Sequence, residues 1–388
     1  MPSGIHFIDI MKTNPLAGEI QPQDGSLFSK WDDASSSVTE LKISHKATIA
    51  KRIVLIAICV FICLITAGIA IVTGEYDIGF FESYRILFDH IMGNIGTDRI
   101  SVIKDFVVWD LRLPAIVVAI IAGIGLSASG AAMQSTLRNP LADPYTTGIS
   151  SGAAFGATIA IVYFGGVATG NATTVVFAFV FALIPTALIV SLSVTKKVSP
   201  VSMIMAGIAV MYIFNAVTTM IKLWADPNDL EAIYLWSVGS FDTIRWDDLP
   251  LMAAVTLVGS SAIFMISNKL NILASGDECA KSMGIDASKM RIICLVIVSL
   301  VTASIVSFTG IIGFVGLVAP HVVRLFIGSD NKFLIPASAA FGAALLLVSD
   351  LVGRTIIAPS VIQVGVITSF IGGPLFLYLV IRQKKEMW

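Results

Sequence analysis

The residues with reactive side chains do not assemble into a catalytic pattern. The chain has no GxxxxGK[ST] loop, no HExxH, no GxSxG and no GxGxxG. ATP hydrolysis, nucleophilic catalysis and metal-assisted hydrolysis therefore find no machinery in it. The four cysteines, Cys59, Cys63, Cys279 and Cys294, form no CxxC pair and no ligand cluster with the four histidines. They read as small apolar packing residues. His321 follows Pro320 and stands without a second ligand, so a structural role outweighs a metal or proton role. The chemistry left is recognition, of a partner surface or of a solute.

Two stretches carry it. Ser275–Gly284 reads SGDECAKSMG, a short polar segment between long apolar runs. Ser275 with Glu278 three residues later has the spacing of a capping box. Asp277 and Glu278 suit the positive N-terminal end of a helix, and Lys281 the other end. Gly276 opens the helix at 276–283, and Gly284 falls where a left-handed C-cap belongs. Cys279, Ala280 and Met283 are placed on one apolar face. The second stretch is a polar stripe, Asn215, Thr218 and Thr219, in line with Gly207 and Met211 above and Lys222 below. It fits two readings equally: the lining of a solute path, or interhelical hydrogen bonds worth about 0.6 kcal/mol each.

The elements that position these residues are membrane spans. Of 388 residues, 56% are hydrophobic and 13% charged, and the mean hydropathy is +0.88. Soluble domains average about 25% charged. The net charge of −1 gives no reason to expect a nucleic-acid partner. Ten apolar runs follow in order, near 53–73, 114–134, 146–164, 173–194, 201–223, 249–267, 291–309, 310–326, 333–353 and 361–381. A span needs about 20 residues at 1.5 Å each. Gly310, Gly313, Gly316 and Pro320 predict a broken pair of short segments around the seventh and eighth runs. Broken backbone at membrane depth is tolerated only inside protein or along a cavity. Between the first two runs, Phe80, Tyr84, Leu87, Phe88 and Ile91 recur at helical spacing. That is an amphipathic helix, lying on lipid or packed as a loop helix.

Residues 1–50 read as a polar, mobile cytoplasmic tail, and 51–388 as the transmembrane domain. Ten spans put both termini on one side. With the N-terminus inside, 18 of the 25 Lys/Arg are cytoplasmic and 7 external. The positive-inside rule therefore places the termini and the 276–283 helix in the cytoplasm. Gly148, Gly152 and Gly156 form a GxxxGxxxG row, and Gly123, Ser127 and Ala131 repeat small-xxx-small spacing one span earlier. Such rows let helix backbones approach. The RNPLADP turn after Arg138 reads as a rigid corner.

Four segments together resemble the FecCD/BtuC family. They are Leu111–Gly152 (LRLPAIVVAIIAGIGLSASGAAMQSTLRNPLADPYTTGISSG), Ser275–Gly284, Gly310–Arg324 (GIIGFVGLVAPHVVR), and SDLVGR at 349–354 followed by GVITSFIGGPLF at 365–376. The resemblance covers roughly residues 53–383. It implies an all-α, BtuC-like polytopic protein with about ten transmembrane helices in a prokaryotic cell membrane. It implies the permease subunit of an ATP-binding-cassette importer for a metal chelate of the iron–siderophore, haem or cobalamin class. The partners implied are a second copy of the chain, with the path at their interface, two ATPase subunits under the cytoplasmic face, an external solute-binding protein and membrane lipid. No cofactor is implied in this chain. Ser275–Lys289 matches the family's coupling helices. Arg112 and Arg354 match arginines that dock the binding protein, a role suited to bidentate arginine–carboxylate pairing. Two features work against them. Ala115 stands where the family has a second arginine in LRLPR, and Asp350 lies one turn before Arg354. The alternative is a secondary transporter or channel, but those carry intramembrane carboxylates or histidines for ion coupling. The spans here are nearly free of charge, and no Glu lies mid-span.

Overall fold

The structure is a computed structural model. It describes residues 26–382 except 75, 95, 166–170, 196–198 and 359. The chain divides into two units, Met1–Lys51 and Arg52–Trp388. Residues 1–25 of the expected tail lie outside the described residues. Residues 26–50 are helical, which the polar composition did not predict.

Fifteen α-helices follow in the described residues: α1 Ser26–Val72, α2 Phe80–Ile91, α3 Arg99–Phe106, α4 Leu113–Leu137, α5 Ile149–Phe164, α6 Ala172–Thr195, α7 Pro200–Lys222, α8 Pro227–Ser237, α9 Leu249–Met265, α10 Ser267–Ala274, α11 Asp277–Ser282, α12 Ala287–Thr309, α13 Val315–Ile327, α14 Asn331–Thr355 and α15 Val364–Arg382. Seven helical stretches are long and apolar enough to cross a membrane, and three apolar helices are shorter. These correspond one to one with the ten apolar runs. A π-helical turn, Val107–Arg112, joins α3 to α4.

α4 is the hub. It packs against α14, α13, α12 and α9, while α5 pairs with α6 and α6 with α12. Small residues make this possible. A Cβ on Gly123 would lie 2.5 Å from the Ala343 backbone, and one on Gly130 would lie 1.8 Å from the Gly316 carbonyl. α4 and α14 therefore touch backbone to backbone. Gly152 and Gly156 do the same against the Phe181 and Phe177 carbonyls of α6, at 2.4 and 2.3 Å for an added Cβ. Gly148 is not part of that helical row. Its φ of +91° makes it the N-cap of α5, where it meets Gly207 of α7.

α7 is the opposite case. Only 11% of its most apolar stretch is buried, so it offers a long open flank. The seventh run forms a full helix, α12, and not a short segment. It ends at Gly310 (φ +74°), and α13 starts after Phe314, itself left-handed at φ +68°. The break is hydrogen-bonded to protein on one side, while Ile311, Gly313 and Phe314 stay partly exposed. Ser240 donates its N–H to the Thr309 carbonyl at 2.9 Å, and Gly365 donates to Gly239 at 3.2 Å.

Candidate functional site

α4 and α14 define two ends of the bundle. Ser135 near the end of α4 donates to Asn331 at the start of α14, at 2.8 Å. Arg138 and Asn331 thus share one end, and Arg112 and Arg354 lie at the other, separated by the length of α4, about 37 Å at 1.5 Å per residue.

At the Arg138 end, α10 stops at Ser275, whose hydroxyl donates to the Asn271 carbonyl at 3.3 Å. Gly276 then turns the chain at φ +118° and becomes the N-cap of α11. The predicted Ser275–Glu278 capping box does not form, because the bend needs glycine one residue later and leaves Ser275 in the preceding helix. Gly284 is left-handed at φ +77°, as its position predicted. Asp286 caps α12 by accepting from the Lys289 N–H at 3.1 Å.

Two arginines hold α11. Arg291, buried at the start of α12, donates to the Asp277 carboxylate. Its Nε also donates to the Thr136 carbonyl of α4 at 3.4 Å. Arg138, the left-handed C-cap of α4, lies 3.6 Å from the same carboxylate. The hydrogen bond from Arg291 holds the Asp277 carboxyl below the usual range. Ala280 is fully buried beside Leu273 and Met290, whereas Cys279 and Met283 are exposed. The expected common apolar face is therefore split: Ala280 anchors the helix inward, and Cys279 and Met283 point outward. Glu278 and Lys281 are also exposed.

At the other end, both arginines serve the chain itself. Arg112 is buried, and its guanidinium donates to the carbonyls of Ile71 and Val72 at 2.9 and 2.8 Å and of Tyr76 at 2.6 Å. It thereby ties the end of α1 to the start of α4. Arg354 donates to Asp350 at 2.9 Å and lies 3.4 Å from Asp242. Gly74, Arg112, Asp242 and Arg354 line a cavity of about 600 Å³.

The predicted polar stripe on α7 is divided. Asn215 and Thr219 are exposed, with the Thr219 hydroxyl on the Asn215 carbonyl at 2.8 Å. Thr218 is buried, and its hydroxyl has no hydrogen-bond partner among the described residues. A second cavity of about 570 Å³ lies at the helix break, lined by Ser237, Ile311, Gly313, Ser369 and Phe370 among others. Sequence reasoning missed Ser237 and Ser369. The signal was the glycines around them: a Cβ on Gly365 would lie 1.8 Å from the Val238 carbonyl. His321 is buried, and neither ring nitrogen meets a hydrogen-bond partner among the described residues. Among the described residues no cluster of His, Cys, Asp and Glu is placed to hold a metal.

The arrangement is a bundle with a tethered surface helix at one end and a charged cavity at the other. An ABC transporter permease of Methanocaldococcus jannaschii is 41% identical over 87% of this chain and 97% of its own. The cobalamin import system permease of Halobacterium salinarum is 38% identical over 70% of this chain and 73% of its own. A solved inward-facing metal-chelate type ABC transporter superposes with a TM-score of 0.73 at 28% identity, covering 84% of this chain and 99% of that one. Residues 56–382 match the FecCD transport family, and the chain belongs to it as a membrane permease of the ABC-importer kind.

Proposed function

We propose that this chain imports a metal chelate of the iron–siderophore, haem or cobalamin class, as one half of a homodimeric permease driven by two separate ATPase subunits. The observation that carries the reading is the tether of α11. An exposed helix is joined through one carboxylate to the starts and ends of two spans, α12 by Arg291 and α4 by Arg138. α4 is the best-buried span, so a displacement of α11 reaches the centre of the bundle. Cys279 and Met283 are the apolar contacts offered to the ATPase. ATP binding there favours one packing of the spans and product release the other, through differential contacts with the two states.

The excess of Lys/Arg at the α11 end supports a cytoplasmic position for that end and for both termini. The path runs where the open flank of α7 meets the second copy, with Asn215 and Thr219 facing it. An external binding protein docks over the cavity lined by Arg112, Asp242 and Arg354. Arg354 exchanges Asp242 for a partner carboxylate, while Arg112 keeps the rim in shape. The test is uptake of a labelled ferric siderophore, haem or cobalamin into proteoliposomes holding the assembled complex. ATP-dependent accumulation of one of them supports the reading. Equal accumulation without ATP contradicts it.

A further inference from the structure

α2, Phe80–Ile91, has one face tied to the protein and one face that, among the described residues, stays open along most of its length. On the tied face Ser83 is fully buried, and Ile86 and Leu87 pack on the core. His90 bonds the Asp105 carboxylate at 2.8 Å and stacks on Trp109 at 4.0 Å, and Lys104 pairs with Glu82. On the other face Phe81 is 86% exposed, Phe88 59% and Ile91 63%, with Phe80 and Tyr84 beside them. These residues are three, four and seven apart, so they form one stripe along the helix.

The depth of this stripe is set by Tyr84. Its hydroxyl donates to the Gly68 carbonyl of α1 at 2.9 Å. Gly68 lies four residues before the end of α1, about 6 Å inside that end at 1.5 Å per residue. An interfacial helix buries its apolar face about 5–10 Å into the headgroup–acyl boundary. The flank of α1 below it is apolar and open, with Phe61, Leu64 and Ile65 exposed. The aromatic stripe continues that flank beside the end of the α1 span, and aromatic rings collect at the ends of membrane spans. Arg85, whose side chain is 82% exposed, lies 3.6 Å from Asp89 one turn on and sits at the margin of the stripe, where its long stem lets the guanidinium also reach phosphate.

We propose that α2 is an interfacial membrane helix, with Phe81, Tyr84, Phe88 and Ile91 seated among phospholipids of the leaflet at the Val72 end of α1. It fixes the height of the π-turn, and so of Arg112, relative to the bilayer. The proposal rests on the membrane bundle and not on ATP coupling.

The test uses Phe81→Trp and Phe88→Trp in the full chain, each in nanodiscs of phosphatidylcholine brominated near the headgroup or near the chain ends. The emission added over the parent should be quenched about twofold more by the shallow bromines than by the deep ones. Aqueous acrylamide should leave it unchanged. Quenching by acrylamide and not by bromolipid would put the stripe in water and overturn the proposal. Quenching by neither would mean that protein covers it, which overturns the proposal equally.

Discussion

Asp277 and Arg291 join the surface helix α11 to the first turn of the span α12, and Arg291 reaches on to the Thr136 carbonyl of α4. One carboxylate therefore sits where force applied to α11 enters the bundle. Asp277→Asn should lower the stability of the purified chain by about 1 kcal/mol, less than a fully buried pair, because the carboxylate is half exposed and screened. It should lower uptake more than ATP turnover. The pH dependence has a definite sign. The folded-state pKa of Asp277 is depressed by its hydrogen bond from Arg291, so the pair's contribution is complete above the ordinary carboxylate value of about 4. It is lost as the pH falls through the lower folded value. Thermal unfolding of parent and Asp277→Asn should differ by a constant amount between about pH 5 and 8 and converge below about pH 4.

Glycine contacts set the helix spacing. Gly130→Ala and Gly365→Ala each place a Cβ 1.8 Å from a backbone carbonyl that cannot rotate away. Each should cost several kcal/mol, about the upper end of single-substitution effects. Gly79→Ala, whose Cβ would meet nothing closer than 3.9 Å, should change little. Thermal unfolding in detergent of the three variants is the check.

Arg112 is expected to matter without any partner present. Arg112→Ala removes the donors for three carbonyls at the end of α1 and should destabilise the isolated chain by about 3 kcal/mol. Gly74→Ala should do the same more mildly, since its Cβ would lie 2.9 Å from the Arg112 guanidinium. A normal unfolding temperature with weakened binding-protein affinity would make Arg112 a docking residue instead.

The three polar residues of α7 should separate. Thr218→Val replaces a buried hydroxyl that has no hydrogen-bond partner among the described residues and should be neutral or slightly stabilising. Asn215→Leu with Thr219→Leu should leave assembly intact and reduce uptake. Unchanged uptake would remove these two residues from the path.

The spans were legible because apolar runs of span length have few other homes, and the break was legible in Gly310 and Gly313, whereas Gly316 and Pro320 lie inside α13. The local geometry of α11 was only half legible. Gly284 announced its left-handed turn, but the same logic applied to Gly276 overrides the Ser275 cap, and a capping pattern does not say which of two adjacent residues carries the bend. The direction of Ala280 depended on Leu273 and Met290, which no spacing within the helix encodes. Arg112 was recognisable as an arginine at a span's end. Its burial depended on carbonyls some forty residues away, with Gly74 as the one local hint. The Asp350–Arg354 pair was legible because its partners are one helical turn apart and need no tertiary information.

The most direct test of the central claim is capture of ATPase subunits by the tagged chain from its native membrane, beside a variant carrying Cys279→Arg and Met283→Arg. Both side chains are exposed, so the variant should fold and dimerise as the parent does. The account predicts that the parent brings down an ATPase subunit and the variant does not. A folded parent dimer that brings down no ATPase, and still moves solute without ATP, would contradict it.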